Sequence, residues 1–201
     1  MSFKKIFTDV KQFQVFFLGA FSGMPLTILY TTLAAWLSDA NIELKIITTF
    51  AISRAFYSFK FLWAPFLDHM KVPLISKIGH RKSWMIIFAI GISAVIYSFS
   101  FYDPNESISA IYWLAITLGV LSASFDIVFD AFRIEKIEPN MQSLGAANTI
   151  LGYRLGVLIA GAGAFVLADK YGWGLTFKII ASLYLICVLF ILIVSEPKIE
   201  R

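Results

Sequence analysis

The sequence predicts an all-α integral membrane protein with six transmembrane helices. Of its 201 residues, 59% are hydrophobic and 15% are charged, whereas soluble globular chains are about 45–50% apolar and about 25% charged. The apolar residues are also gathered into long stretches, and about 20 such residues cross a bilayer as a helix. This composition excludes a disordered chain and a nucleic-acid-binding module, although Lys and Arg outnumber Asp and Glu by 17 to 13.

Six stretches have the length and low polarity of membrane spans, and none alternates polar and apolar residues as a barrel strand does. Charged residues, Pro and Gly separate them. In chain order the breaks are 38–41, 68–82, 103–106, 135–142 and 169–172. The predicted spans are therefore 13–37, 46–66, 84–102, 109–131, 144–168 and 173–194.

Lys and Arg in the breaks predict the orientation, because cytoplasmic loops carry an excess of both. The two residues predicted outside are Lys45 and Lys170. Residues 1–12 are then a cytoplasmic N-terminus, and 195–201 begin a cytoplasmic loop or C-terminus. The eleven basic residues predicted inside are Lys4, Lys5, Lys11, Lys71, Lys77, Arg81, Lys82, Arg133, Lys136, Lys198 and Arg201.

Five ionisable residues lie inside the spans or close to their ends: Arg54, Lys60, Asp126, Asp130 and Arg154. Each costs about 2.5–3.5 kcal/mol at a helix centre on insertion scales, so these side chains should face one another or a water-filled cavity. Asp130 lies one turn beyond Asp126 and three residues before Arg133, which favours an interfacial position.

The helical rise of about 1.5 Å per residue places Arg54 and Arg154 about 12 and 15 Å deep, near the midplane. We expect Asp126, about 8 Å from the cytoplasmic end of span four, to meet Arg154 or Lys60. Two interpretations of an Asp126 and Arg154 pair remain open: an ion pair that locks two helices together, or a pair lining a pathway that responds to protons or substrate. Lys60 could instead extend to the cytoplasmic surface.

Small residues in span five and a proline in span one predict how these two helices contact their surroundings. Gly152, Gly156 and Ala160 recur at four-residue spacing in span five, which lets a neighbouring helix approach closely. In span one, Pro25 removes a backbone donor and breaks the helix. Carbonyl groups left at such a break must be satisfied by protein or face a cavity, so we expect span one to lie beside the pathway.

The sequence carries no phosphate-binding loop, metalloprotease motif, nucleophile elbow or Cys and His cluster with metal spacing. We therefore expect no enzyme active site, no cofactor and no metal site.

Five motifs occur in order along the chain and together resemble a known family. They are Gly-Ala-Phe-Ser-Gly-Met-Pro (19–25), Lys-Phe-Leu-Trp-Ala-Pro-Phe-Leu-Asp (60–68), Gly-His-Arg-Lys (79–82), Asp-Ile-Val-Phe-Asp-Ala-Phe-Arg (126–133) and Gly-Tyr-Arg-Leu-Gly (152–156). This set resembles the AmpG-type muropeptide permeases of the major facilitator superfamily. The resemblance implies proton-driven uptake of cell-wall anhydromuropeptides across the bacterial inner membrane, with lipid, protons and a muropeptide-like substrate as partners.

Roles can also be assigned to individual residues. Within such a transporter, we expect from the ionisable residues of the spans that Asp126 is the leading proton-sensing carboxylate, that Arg154 and Arg54 are its partner and the anion-binding group, and that Lys60 assists. Tyr153 and Asp130 lie on the same pathway. Asp68 with Gly79, Arg81 and Lys82 looks like a cytoplasmic gating loop, in which an acidic helix end pairs with basic residues in one conformational state.

Such transporters have twelve spans in two halves, with the substrate between them, so residues 13–194 correspond to an N-terminal six-helix half made of two three-helix repeats. This half could pair with itself or with a separately encoded half. Alternatively, the chain is a non-transporting interaction subunit, the remnant of a split or degraded transporter gene, or a transporter for another metabolite.

Overall fold

The computed structural model describes residues 9–70, 72 and 76–197, and these residues form helices and no β-strand. Five of the helices are long and apolar enough to cross a bilayer, as expected of a multi-pass membrane protein. We label them α1 (Val10–Asp39), α3 (His80–Phe99), α4 (Pro104–Lys136), α5 (Pro139–Tyr171) and α6 (Trp173–Ile193). Lys4, Lys5, Lys71, Lys198 and Arg201, which contribute to the predicted charge asymmetry, lie outside the described residues.

The second predicted span is helical but broken, and we label residues 44–69 as α2. Pro65 is the second residue of its last piece, and it has no N–H to donate to the carbonyl of Phe61. Earlier in α2, the hydroxyl of Ser53 donates to the carbonyl of Phe50 at 2.6 Å, and those of Thr48 and Thr49 make similar bonds. The pieces are Leu44–Thr49, Phe50–Arg54, Ala55–Phe59, Lys60–Leu62 and Ala64–His69, of which Phe50–Arg54 and Lys60–Leu62 are 3₁₀-helical.

The bundle is assembled from two sets of neighbours. Helix α1 packs against α5, while α3 packs between α6 and α4. Helix α4 also contacts α1 and the pieces of α2. Buried aromatic and aliphatic side chains fill the interior, among them Phe99, Phe125, Phe129, Phe132 and Phe177.

The α1 and α5 contact confirms the predicted close approach at small residues. A Cβ atom built on Gly152 or Gly156 would overlap the backbone oxygen of Phe16 or Ala20 in α1. From the other side, a Cβ on Gly23 would overlap the backbone oxygen of Tyr153. The two backbones therefore touch directly, which side chains larger than hydrogen would prevent.

Both helices of this pair contain a π-helical segment, Ile28–Thr32 in α1 and Ile159–Gly163 in α5. The hydroxyl of Thr32 donates to the carbonyl of Ala160 at 2.6 Å. This bond joins the two segments, where regular i to i−4 pairing is interrupted in both helices.

The predicted break in α1 at Pro25 is not found, because the α-helix continues through Pro25 from Val10 to Thr27, and another helix supplies the lost hydrogen bond. The missing N–H of Pro25 would have paired with the carbonyl of Phe21, and the hydroxyl of Tyr184 in α6 donates to that oxygen at 2.6 Å. Tyr184 is fully buried. The orphaned carbonyl thus faces protein and not a cavity.

Candidate functional site

The first candidate site is a polar cluster on α1, α2, α4 and α5, centred on Asp126. The hydroxyl of Ser22 in α1 donates to Oδ1 of Asp126 in α4 at 2.6 Å. Asp126 is partly buried, and its neighbours Phe125 and Phe129 are buried in the core. Asp126 makes no ion pair with any other described side chain.

Lys60 lies near two carboxylates of α4, those of Asp126 and Asp130, and pairs with Asp130. Its Nζ is 3.8 Å from Oδ2 of Asp130, and it interacts electrostatically with Asp126. Arg133 contacts the other oxygen of Asp130 at 3.8 Å. Asp130 is therefore held between two basic groups, which leaves Asp126 as the acidic group bound by a neutral donor.

Two hydrogen bonds hold α2 against α4 beside this cluster. The hydroxyl of Tyr57 donates to Oγ of Ser122 at 2.8 Å, and Nε1 of Trp63 donates to Oγ of Ser124 at 3.1 Å. They fix the broken helix in place even though it lacks a continuous internal ladder of backbone bonds.

Arg54 lies over the ring of Tyr30 in α1, with its guanidinium carbon 4.2 Å from the ring centroid. Both side chains line a cavity of about 150 Å³ between α1 and α2, together with Thr48, Phe50 and Leu33. A guanidinium stacked on an aromatic ring keeps its N–H groups available at the edge, where a carboxylate or phosphate can bind.

The predicted pairing of Asp126 with Arg154 is wrong. Arg154 is exposed and makes no ion pair with the side chains of residues 9–70, 72 or 76–197. Gly152 is buried against α1, and Arg154 is about 200° further around a helix of 3.6 residues per turn. The close contact at Gly152 therefore turns Arg154 away from α1 and Asp126. Tyr153 lies between these directions, half-buried and within electrostatic range of Asp126.

The second candidate site is a charged cluster at the end of the bundle where α2 stops and α3 begins, and we call this the charged end. Nη1 of Arg81 contacts Oδ1 of Asp68 at 2.6 Å, and its Nη2 contacts Oε1 of Glu135 at 2.6 Å. The Arg81 side chain is only 10% exposed. One guanidinium therefore joins α2, α3 and α4.

A third carboxylate reaches this cluster from beyond α6. Oε1 of Glu196 accepts from the backbone N–H of Arg81 at 2.8 Å, and Oε2 accepts from that of Lys82 at 3.2 Å. A carboxylate at a helix N-terminus satisfies free N–H groups and interacts favourably with the helix dipole. Nζ of Lys82 donates to the carbonyl of Leu192 in α6 at 3.0 Å.

Gly79 permits this arrangement. Its φ of +128° is one that side-chain-bearing residues rarely adopt, and a Cβ atom there would overlap the carboxylate of Glu196. The structure thus brings together all four residues of the predicted gating loop: Asp68, Gly79, Arg81 and Lys82.

Sequence reasoning missed three functional candidates: Ser22, Glu135 and Glu196. Glu135 and Glu196 each follow a span on the same predicted side as the basic loop, which is the signal that could have found them. Ser22 offers no such signal, because a serine in an apolar helix usually bonds to its own backbone. Among the described residues, no three His, Cys, Asp or Glu side chains gather as metal ligands would.

Comparisons with known proteins agree with the motifs. The chain is 44% identical over 203 residues to AmpG 4 of Rickettsia conorii, whose name describes a transporter, and the match covers 100% of this chain and 49% of that protein. A Rickettsia felis counterpart is 43% identical, with the same coverage. The anhydromuropeptide permease of Escherichia coli is 36% identical over 194 residues, which cover 96% of this chain and 39% of the permease.

The resemblance to AmpG-type transporters is confirmed. The chain spans about half the length, or less, of these curated AmpG-type relatives. No family model matches it.

Proposed function

We propose that this chain is the N-terminal half of a major-facilitator transporter that imports cell-wall anhydromuropeptides together with protons. The observation that carries the proposal is the Asp126 carboxylate, which accepts a hydrogen bond from Ser22 and lies near Lys60 within a mainly apolar bundle. Ionisable groups at such positions are costly and generally functional. The name of the Escherichia coli relative supplies the substrate class.

Asp126 is the proton-binding group in this proposal. Its carboxylate accepts from Ser22, a neutral donor, while Lys60 is engaged by Asp130. Asp126 can therefore take up a proton without the loss of a direct ion pair, so protonation requires little rearrangement of the other charges.

Arg54 and Arg154 are the proposed anion-binding groups. Arg54 borders a cavity, and Arg154 points outward from α5 among exposed Leu151, Leu155 and Leu158. A midplane guanidinium is unfavourable in lipid. We infer that this face of α5 meets a second six-helix half, with substrate carboxylates held between the halves.

The proposed arrangement places six spans across the bacterial inner membrane, with α2 as the second, in two three-helix repeats. The charged end is cytoplasmic, as are both termini, and the pairs of Arg81 with Asp68 and Glu135 hold one gate state. Rupture of these pairs would accompany the change to the other state.

The test is uptake of labelled anhydromuropeptide in bacterial cells that lack their own permease. The chain is expressed alone and together with the C-terminal half of an AmpG relative. Accumulation that is abolished by Asp126→Asn and by a protonophore is the expected result. Asp169→Asn, which removes an exposed carboxylate at the opposite end of the bundle, is the matched control and should leave uptake unchanged.

Membrane insertion of every variant is checked by immunoblotting of membrane fractions. Absence of uptake with every companion half, despite normal insertion, would contradict the proposal and favour a non-transporting subunit or gene remnant. Uptake that survives Asp126→Asn would remove Asp126 from the proton step.

A further inference from the structure

We propose that Ser22 is a positioning residue that couples the protonation of Asp126 to the placement of α1 against α4. This inference rests on the proposed proton-coupled function and deepens it. The hydroxyl of Ser22 holds α1 to the ionised carboxylate, and uptake of a proton by Asp126 weakens that contact.

The geometry of the bond supports this role. The Ser22 Oγ to Asp126 Oδ1 distance of 2.6 Å is that of a short, direct hydrogen bond, equal to the one from Tyr184 to the carbonyl of Phe21. Ser22 is 7% exposed, so water competes little for the contact. Charge-assisted bonds are about twice as strong as neutral ones, and protonation removes that contribution.

The hydroxyls of α1 bond in two ways, either within the helix or across to a neighbouring helix, as Thr32 does with α5. Thr27 and Thr31 in α1 donate to the carbonyl four residues earlier in their own helix, at 2.9 Å each. Ser22 instead donates across to α4. Because the intrahelical alternative is open to any helical serine, Ser22 can exchange Asp126 for its own backbone.

The position of Ser22 in α1 makes such an exchange consequential. It lies between Phe21, whose carbonyl is bound by Tyr184, and Pro25, which has no backbone N–H to donate. The Tyr184 bond joins two uncharged groups and is independent of the proton on Asp126. Loss of the Ser22 bond therefore loosens the contact of α1 with α4 one turn before Pro25, while Tyr184 of α6 still holds α1.

The other titratable groups around Asp126 keep their charge state when Asp126 takes up a proton. Lys60 and Asp130 are paired with each other, and tyrosines are neutral near pH 7. Protonation of Asp126 is thus the charge change that Ser22 senses. The titratable groups facing Asp126 are Lys60 and Tyr57 from α2, Asp130 from α4, Tyr153 from α5 and Tyr184 from α6.

The first experiment is a pH titration of the full chain in lipid nanodiscs, followed by infrared difference spectroscopy. The carboxyl band that disappears in Asp126→Asn belongs to Asp126. In Ser22→Ala we expect the midpoint of that band to move to higher pH by about one to two units, because a hydrogen bond to the ionised form is lost. Ser22→Thr keeps a hydroxyl and should restore most of the wild-type midpoint.

The second experiment measures the α1 to α4 distance with spin labels at Thr31 and Thr117 in a Cys187→Ala background. Both labelled residues are exposed and lie nine positions, or about 13 Å, from Ser22 and Asp126 respectively. We expect the distance to lengthen on acidification in the parent and to be pH-independent in Ser22→Ala. Ser182→Ala, an exposed α6 serine bound to its own backbone, is the matched control.

An unchanged midpoint in Ser22→Ala, or a distance change that persists in this variant, would overturn the role of Ser22. Neither measurement requires transport. A failure of the proposed uptake therefore leaves this test intact, and a failure of this test leaves the uptake result standing.

Discussion

The hydroxyl of Tyr184 replaces the backbone donor that Pro25 removes from α1, with 2.6 Å between its oxygen and the carbonyl oxygen of Phe21. A proline inside a membrane helix leaves a carbonyl that lipid cannot satisfy. Here the hydrogen-bond donor that α1 lacks at Pro25 is replaced by a side chain of α6, so Pro25 and the α1 to α6 contact depend on each other.

Tyr184→Phe should lower the free energy of unfolding by about 0.5–2 kcal/mol, as typical interhelical hydrogen bonds in membranes do. In a Pro25→Ala background the cost should be smaller, because residue 25 then supplies the missing N–H. Reversible unfolding in mixed detergent and SDS micelles measures both. Tyr97→Phe, on an exposed side chain, is the control, and an equal cost in the two backgrounds would disprove the dependence.

Gly152→Ala should destabilise the protein by about 1–3 kcal/mol, since the added methyl group overlaps the backbone of Phe16 and forces α1 and α5 apart. Gly163→Ala is the matched control in the same helix. A Cβ there meets no described atom closer than 3.6 Å and should gain up to about 1 kcal/mol of helix propensity. Equal stabilities of the two variants would refute direct backbone contact at Gly152.

Arg81→Gln should cost about 1–3 kcal/mol, because Asp68 and Glu135 lose their shared cation at a site where Arg81 is largely buried. Lys77→Gln removes a charge from an exposed position nearby and should be nearly neutral. In a double-mutant cycle, Arg81→Gln and Glu135→Gln should be strongly coupled. Additive effects would show that the pair contributes little.

Gly79→Ala should destabilise more than Gly172→Ala. Both glycines have positive φ, but a Cβ on Gly172 meets no described atom within 4 Å, whereas one on Gly79 displaces the carboxylate of Glu196. The excess cost should vanish in a Glu196→Ala background, where the carboxylate is already gone. Thermal unfolding of the four variants checks this, and an excess that survives without Glu196 would point to strain alone.

Reporter fusions after Asn41 and after Met70 should appear on opposite faces of the membrane if the broken helix α2 crosses it. A fusion after Glu106 should lie outside, as the Lys and Arg distribution predicts. Paired phosphatase and fluorescent-protein reporters give the readout. A common location for the Asn41 and Met70 fusions would mean that residues 44–69 do not span the bilayer.

Composition and span length were sufficient to predict a multi-pass helical membrane protein, and the small residues of α5 correctly indicated a close helix contact. The regular form expected for span two was not found: Pro65 lacks a backbone donor, and the hydroxyls of Thr48, Thr49 and Ser53, in or just before the 3₁₀ segment Phe50–Arg54, bond to backbone carbonyls. Those residues were visible in the sequence. A hydropathy pattern does not reveal their effect on the helix, because hydropathy measures the free energy of transfer into lipid and not backbone geometry.

The partner of each charge, in contrast, was decided by tertiary structure. Depth along the helices placed Arg154 within reach of Asp126, but the rotation of α5 imposed by Gly152 against α1 turned Arg154 outward. The Asp126 carboxylate instead accepts a hydrogen bond from Ser22. The sequence was sufficient to predict which segments form helices long and apolar enough to cross a membrane, because that follows from local hydropathy and helical rise. Which groups meet depended on helix rotation, and rotation is set by packing between segments far apart in the chain.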